Sequence, residues 1–222
     1  MTTFAVVLGK ELRLEWRTRE SLAVMLVFSL TVILLFAFAF NVAATKIETF
    51  VPGLLWMTYF FSAALGLLRS FGREREMEAY DLLLSSPADR GSIYLAKASA
   101  FLLLLIIVQI ISLPMFALFL DLQIGAAILP LLLVILLADI GISAVGMLVA
   151  GLSLRSPRGE TLLPILLFPL LSPILIAATR ATGAALALRP MAEWDMWLML
   201  LFTYSVVFTL AGSFIFDYIS EQ

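Results

Sequence analysis

The sequence contains no cysteine and no histidine. Without cysteine the chain can form no disulfide, thiolate nucleophile, iron–sulfur cluster or Cys-type zinc site. Without histidine it lacks the base of Ser-His hydrolases, the zincin motif, the commonest haem ligand and the usual proton shuttle. Charge is scarce as well. Of 222 residues 14 % are Asp, Glu, Lys or Arg and 63 % are hydrophobic, and the mean hydropathy is +1.09. A soluble domain is roughly 25 % charged and 45–50 % apolar, so there are too few polar side chains here to cover a water-facing surface. The solvent of such a chain is a lipid bilayer. A formal net charge of −2 excludes a nucleic-acid binder that works through bulk positive charge. No phosphate-binding G-x-x-x-x-G-K-[ST] loop occurs; Gly9-Lys10 lacks the upstream glycine and the following Ser or Thr. The sequence offers no catalytic constellation and no metal site, and any nucleotide hydrolysis belongs to another polypeptide.

What is present is a series of apolar runs, each close to the 20 or so residues that a helix needs to cross the hydrocarbon core. They predict an all-α polytopic membrane protein, one membrane domain over 1–222, with spans at about 21–45, 49–68, 93–120, 124–154, 161–179 and 196–217. The first run follows basic residues, and Ala37-Phe38-Ala39 imitates a signal-peptide cleavage site. It is much longer than the roughly 7–15 residues of a signal-peptide core, which makes it a retained anchor. Basic residues set the expected orientation. Lys10, Arg13, Arg17 and Arg19 precede the first span, Arg69, Arg73, Arg75, Arg90 and Lys97 surround the 2–3 loop, and Arg155 and Arg158 lie in the 4–5 loop. Only Lys46, Arg180 and Arg189 fall on the other side. Both termini are therefore expected in the cytoplasm.

Residues 1–20 are too charged to cross the membrane. Lys10, Arg13, Arg17 and Glu20 recur at helical spacing on one face, while Phe4, Leu8 and Leu12 line the other. The pattern predicts an amphipathic elbow helix in the interface; the plainer reading is a basic topology signal. Glu11 and Glu15 interrupt the apolar face, which points to packing on protein as well as lipid. In the 2–3 loop, Arg73-Glu74-Arg75-Glu76 leads through Asp81 to Leu82-Leu83-Leu84, a segment dominated by good helix formers. A short helix is expected here, with Ser86, Pro87 and Asp89 supplying the cap and first turn of the next one. The leucines need cover, which favours a docking helix over a solvated charge run.

Inside the membrane Asp139 is the one deep acid, and Gln109 lies at comparable depth in the preceding span. Asp139 either lines a substrate or proton path or forms a buried pair with Gln109 that ties two helices together. Gly146 and Ala150 form a small-xxx-small pair beside it. Pro164, Pro169 and Pro173 each remove a backbone donor, so the fifth span is expected to be kinked or broken. Trp194 and Trp197 on the outward side read as interfacial belt residues or as an aromatic platform in contact with a ligand.

Several stretches carry a family resemblance. They are the elbow sequence Leu12-Arg13-Leu14-Glu15-Trp16-Arg17, Pro52-Gly53-Leu54-Leu55-Trp56, Leu84-Ser85-Ser86-Pro87 with Leu95-Ala96-Lys97 downstream, and the proline-rich run Leu163–Pro173. With six spans and a charged helix between the second and third, the chain looks like an ABC-2-type exporter permease. Almost end to end it resembles the CcmB family, the permease subunit of the haem exporter in cytochrome c maturation. The resemblance implies a cytoplasmic ATP-binding cassette partner that carries the ATP and Mg, and a coupling helix in which Arg73, Glu74, Glu76, Asp81, Leu82 and Leu83 meet that partner. It further implies a second copy of the chain, haem-handling membrane subunits, a periplasmic haem chaperone and a place in the bacterial inner membrane. Haem would be cargo, with no cofactor bound by the chain itself. Trp194-Asp195-Met196-Trp197 departs from the histidine-flanked tryptophan segments of the system's haem-handling proteins. The alternatives are a permease of the same type for a lipid, polysaccharide or drug, or a membrane scaffold that transports nothing.

Overall fold

A computed structural model describes residues 2–39, 47–76, 89–120, 122, 124–154 and 159–219. Seven α-helices account for most of them: α1 (Thr3–Thr18), α2 (Glu20–Ala39), α3 (Ile47–Glu76), α4 (Arg90–Phe119), α5 (Ile128–Leu154), α6 (Gly159–Leu186) and α7 (Asp195–Ile219). Helices α2 to α7 are each long and apolar enough to cross a bilayer. Large side chains such as Phe38, Ile110, Leu129 and Phe214 remain exposed along them, as a lipid-facing surface requires. The chain is a multi-pass membrane protein.

Helix α5 is the axis of the bundle and packs against α3, α4, α6 and α7. Every residue from 141 to 150 on it is buried. Such density needs small residues at the crossings. A Cβ on Gly146 would run into the Leu67 side chain of α3, and one on Gly212 of α7 would run into the Tyr94 ring of α4. The Tyr94 hydroxyl donates to the carbonyls of Ala144 (2.9 Å) and Phe208 (3.2 Å), tying α4 to α5 and α7. Helix α2 presents Ser21, Met25, Ser29 and Ile33, a stripe with a period of four, and the Ser62 hydroxyl donates to the Met25 carbonyl at 3.1 Å.

Helix α1 packs on protein. Val7, with Phe4 and Leu8 beside it, closes over Ile93 and Ala96 of α4. A single residue, Arg19, turns the chain from α1 into α2. It sits in the left-handed region (φ 56°, ψ 14°), where its N–H reaches the Glu15 carbonyl at 2.6 Å and its guanidinium lies 5.7 Å from the Trp16 ring centroid. A left-handed non-glycine residue costs roughly 1–2 kcal/mol, so this joint is held by its surroundings.

Three expectations change. Of the two outcomes expected for the fifth span, a kink or a break, the break does not occur: α6 runs unbroken through Pro164, Pro169 and Pro173 and continues past the expected end at 179 to Leu186. The Ser172 hydroxyl donates to the Pro169 carbonyl at 2.9 Å, the acceptor that Pro173 cannot serve, and such side-chain repair is what lets proline persist in a membrane helix. Residues 73–76 belong to α3 itself rather than to a separate short helix. The cap of α4 is Asp89, whose carboxylate accepts the Ser92 backbone N–H at 3.0 Å and the Ser92 hydroxyl. The Ser92 hydroxyl, with its backbone N–H, holds that carboxyl below the usual carboxylate range. Ser86 and Pro87 lie outside the described residues.

Candidate functional site

Three polar loci interrupt the apolar bundle. The first joins α1 to the neighbouring end of α3. The Arg73 guanidinium donates to Glu15 Oε2 (2.7 Å), Thr18 Oγ1 (2.8 Å) and Ser21 Oγ (3.1 Å), while Glu15 Oε1 accepts the Leu22 backbone N–H at 2.9 Å. The Arg73 and Glu15 side chains are 13 % and 6 % exposed, so the pair is shielded from screening and lies in a stronger regime than a surface ion pair. One turn earlier on α1, Glu11 takes the buried Lys97 of α4 at 3.2 Å. The two acids that interrupt the apolar face of α1 thus each hold a different transmembrane helix.

The second locus is in the membrane interior. Gln109 Nε2–H donates to Asp139 Oδ1 at 2.8 Å, linking α4 to α5, and both residues are buried. Among the described residues the remaining oxygens, Gln109 Oε1 and Asp139 Oδ2, have no hydrogen-bond partner. Nearby, the Ser112 hydroxyl approaches the Tyr59 hydroxyl at 3.4 Å, and the Tyr59 ring meets Trp56 and Phe116 edge-on. The Trp56 indole N–H donates to Thr182 Oγ1 at 2.9 Å, joining α3 to α6.

The third locus is a cleft of about 580 Å³ at the end of the bundle opposite α1, between the start of α3, the end of α6 and the turn into α7. Pro52, Arg180, Gly183, Arg189, Glu193 and Trp197 line it together with Trp194. The turn is tightly built. Leu188 adopts a left-handed conformation (φ 51°), the Arg189 N–H bonds the Ala184 carbonyl, and Met191–Glu193 form one 3₁₀ turn. The Trp194 indole N–H donates back to the Arg189 carbonyl at 3.2 Å. Trp194 is 3 % exposed and so is a core residue rather than a belt residue. Trp197 is half-buried on the cleft wall.

A family model described as CcmB protein matches residues 2–218. The chain belongs to the CcmB family. It is also 34 % identical over 154 residues to Heme exporter protein B of Pseudomonas aeruginosa, a match that covers 68 % of this chain and 67 % of that protein. The CcmB match takes in all three polar loci and every described helix but for the last residue of α7.

Within this CcmB chain, the residues singled out in sequence separate into distinct places. Asp139 and Gln109 come together. Arg73 is turned onto α1, where it pairs with Glu15. Glu74 and Glu76 lie in the last turn of α3; Asp81, Leu82 and Leu83 lie outside the described residues. Pro164, Pro169 and Pro173 are internal to α6. Sequence reasoning did not find the Glu15–Arg73 and Glu11–Lys97 pairs, although two acids four residues apart on an otherwise apolar face were the available signal. Nor did it find Arg180 and Arg189 beside Trp197, because no local spacing links α6 to α7.

Proposed function

We propose that this chain is the membrane permease subunit of an ABC-type haem exporter in c-type cytochrome biogenesis. A separate cytoplasmic cassette subunit would hold the ATP and Mg. The observation that carries this reading is the chain-long CcmB match, together with a relative named as a haem exporter. Supporting it is the placement of the Arg73 clasp. The segment proposed to dock on the cassette, Glu74 to Leu83, begins inside the last turn of α3, one residue after Arg73, which is bound to α1. Force applied to that segment would move α1 and α3 together, with α4 following through Lys97.

In this reading the α1 end and both termini face the cytoplasm of a bacterium, and the cleft opens outward from the inner membrane. Cassettes act in pairs, so two copies of the chain, each with one docking segment, form the core. Haem-handling membrane subunits and a periplasmic chaperone take the haem, and ATP hydrolysis drives haem transfer or release of the loaded chaperone. The test is affinity purification in mild detergent from cells that make c-type cytochromes. The expected result is a cassette protein at two per two copies of this chain. Replacing Leu82→Ala and Leu83→Ala should remove the cassette and abolish cytochrome c maturation while the chain still inserts, since buried apolar anchors at such interfaces are worth about 2 kcal/mol or more. Normal cytochromes and normal cassette recovery from the double variant would refute the docking assignment. One permease per two cassettes would refute the dimer.

A further inference from the structure

The outward cleft combines features that neither lipid packing nor core stability requires. Arg180 and Arg189 stand at its rim, both exposed. Among the described residues neither guanidinium has a carboxylate within 4 Å or donates a side-chain hydrogen bond, and Glu193, the only acid on the wall, pairs with neither. The planar forks of two guanidiniums at the rim of one cleft suit bidentate pairing with carboxylates. The turn that carries Arg189 closes α6 with a left-handed Leu188, whose N–H bonds the Ala185 carbonyl while the Arg189 N–H bonds that of Ala184, and the Trp194 indole fastens it through the Arg189 carbonyl. Trp197 offers a half-buried indole on the wall, and the Trp56–Thr182 bond stiffens α3 against α6 just beneath. A volume of about 580 Å³ falls within the range of about 300–1,000 Å³ that small-molecule sites occupy.

We infer that this cleft receives a flat, largely apolar ligand with two carboxylates on one edge. On the export reading proposed above, on which this inference rests, the ligand is haem. Arg180 and Arg189 pair with the two propionates and Trp197 covers the macrocycle. The chain has no His and no Cys, so recognition is through the carboxylate edge and the ring face and leaves the iron free for a ligand on the receiving protein. That suits a hand-over station, since a bound iron would have to be released first. An anionic phospholipid offers similar chemistry at one point, a charged head group on an apolar body, and the test separates the two.

The purified full-length chain in nanodiscs of neutral phosphatidylcholine is titrated with ferric haem and with haem dimethyl ester, and empty nanodiscs are subtracted. Saturable binding near one haem per chain is expected. Haem dimethyl ester and the Arg180→Gln/Arg189→Gln variant should each weaken binding by about tenfold or more. Arg180→Lys/Arg189→Lys should bind more tightly than the glutamine pair, and an unchanged melting temperature in detergent shows that the fold is intact. Equal affinity for the ester, or no loss in the glutamine variant, overturns the inference. So does abolition of haem binding by phosphatidylglycerol with that lipid retained by the chain in native mass spectrometry, which makes the cleft a lipid site. Cassette recovery and cytochrome c levels are followed in the same strains. If wild type passes both while haem binding ignores the arginines, the cleft inference fails and the export reading stands. If wild type recovers no cassette and supports no cytochrome maturation, the export reading itself fails.

Discussion

At the scale of single residues, the buried Gln109–Asp139 pair separates two roles for an intramembrane acid. One oxygen of Asp139 accepts the Gln109 amide, and the other faces no donor among the described residues. Asp139→Asn keeps the acceptor and adds an N–H that Gln109 Oε1 can receive. If the residue serves to join α4 and α5, the asparagine variant should be as stable as wild type and mature cytochromes normally. Asp139→Ala, which orphans Gln109, should lower stability by about 1 kcal/mol in a detergent unfolding titration. A folded asparagine variant that fails in cytochrome maturation would mean that the carboxylate itself is needed on a proton or substrate path. The importance of Asp139 was plain in the sequence, because an acid in a long apolar run costs about 2.5–3.5 kcal/mol to insert and must find a partner. Its partner could also be anticipated, since Gln109 sits at matching depth in an adjacent span.

Between elements the determining contact is nonlocal. Glu15 and Arg73 lie 58 residues apart in the chain, and nothing in the local alternation of Arg73-Glu74-Arg75-Glu76 reveals that the first arginine pairs with α1. A charge run looks like a solvated surface until the fold puts an acid opposite it. A double-mutant cycle with Glu15→Gln and Arg73→Gln should give a coupling energy of about 1 kcal/mol or more, and either single change should raise amide exchange throughout Thr3–Thr18. Additive effects with unchanged exchange would show that α1 is held by its contact with α4, through Val7, Ile93 and Ala96 and the Glu11–Lys97 pair. Spans were legible for the opposite reason: the bilayer demands an apolar run whatever the helix later touches. The end of α6 was not, because Arg180 looks like a boundary in sequence. A long basic side chain near a helix end can reach the interface while Ala181 to Ala185 continue the helix beneath it.

For the whole molecule, composition limits what can hold iron. With no His and no Cys, the strong axial ligands are missing, and methionine or tyrosine would have to serve. Purified protein supplied with haem should therefore show no low-spin, bis-ligated spectrum, even while the outward cleft holds the porphyrin. Stoichiometric bis-ligated haem in the isolated chain would contradict this. The packing of α5 against both earlier and later helices has a further consequence, for biosynthesis. Chains enter the membrane from the N-terminus onward, so when α5 leaves the insertion machinery α3 and α4 are already in the bilayer, while α6 and α7 are still to be made. Gln109 is thus waiting in the lipid before Asp139 arrives, and the most expensive residue to insert meets its partner on entry. The small-residue face that will receive α6 and α7, by contrast, carries no charge and can wait in lipid until the last two helices are delivered.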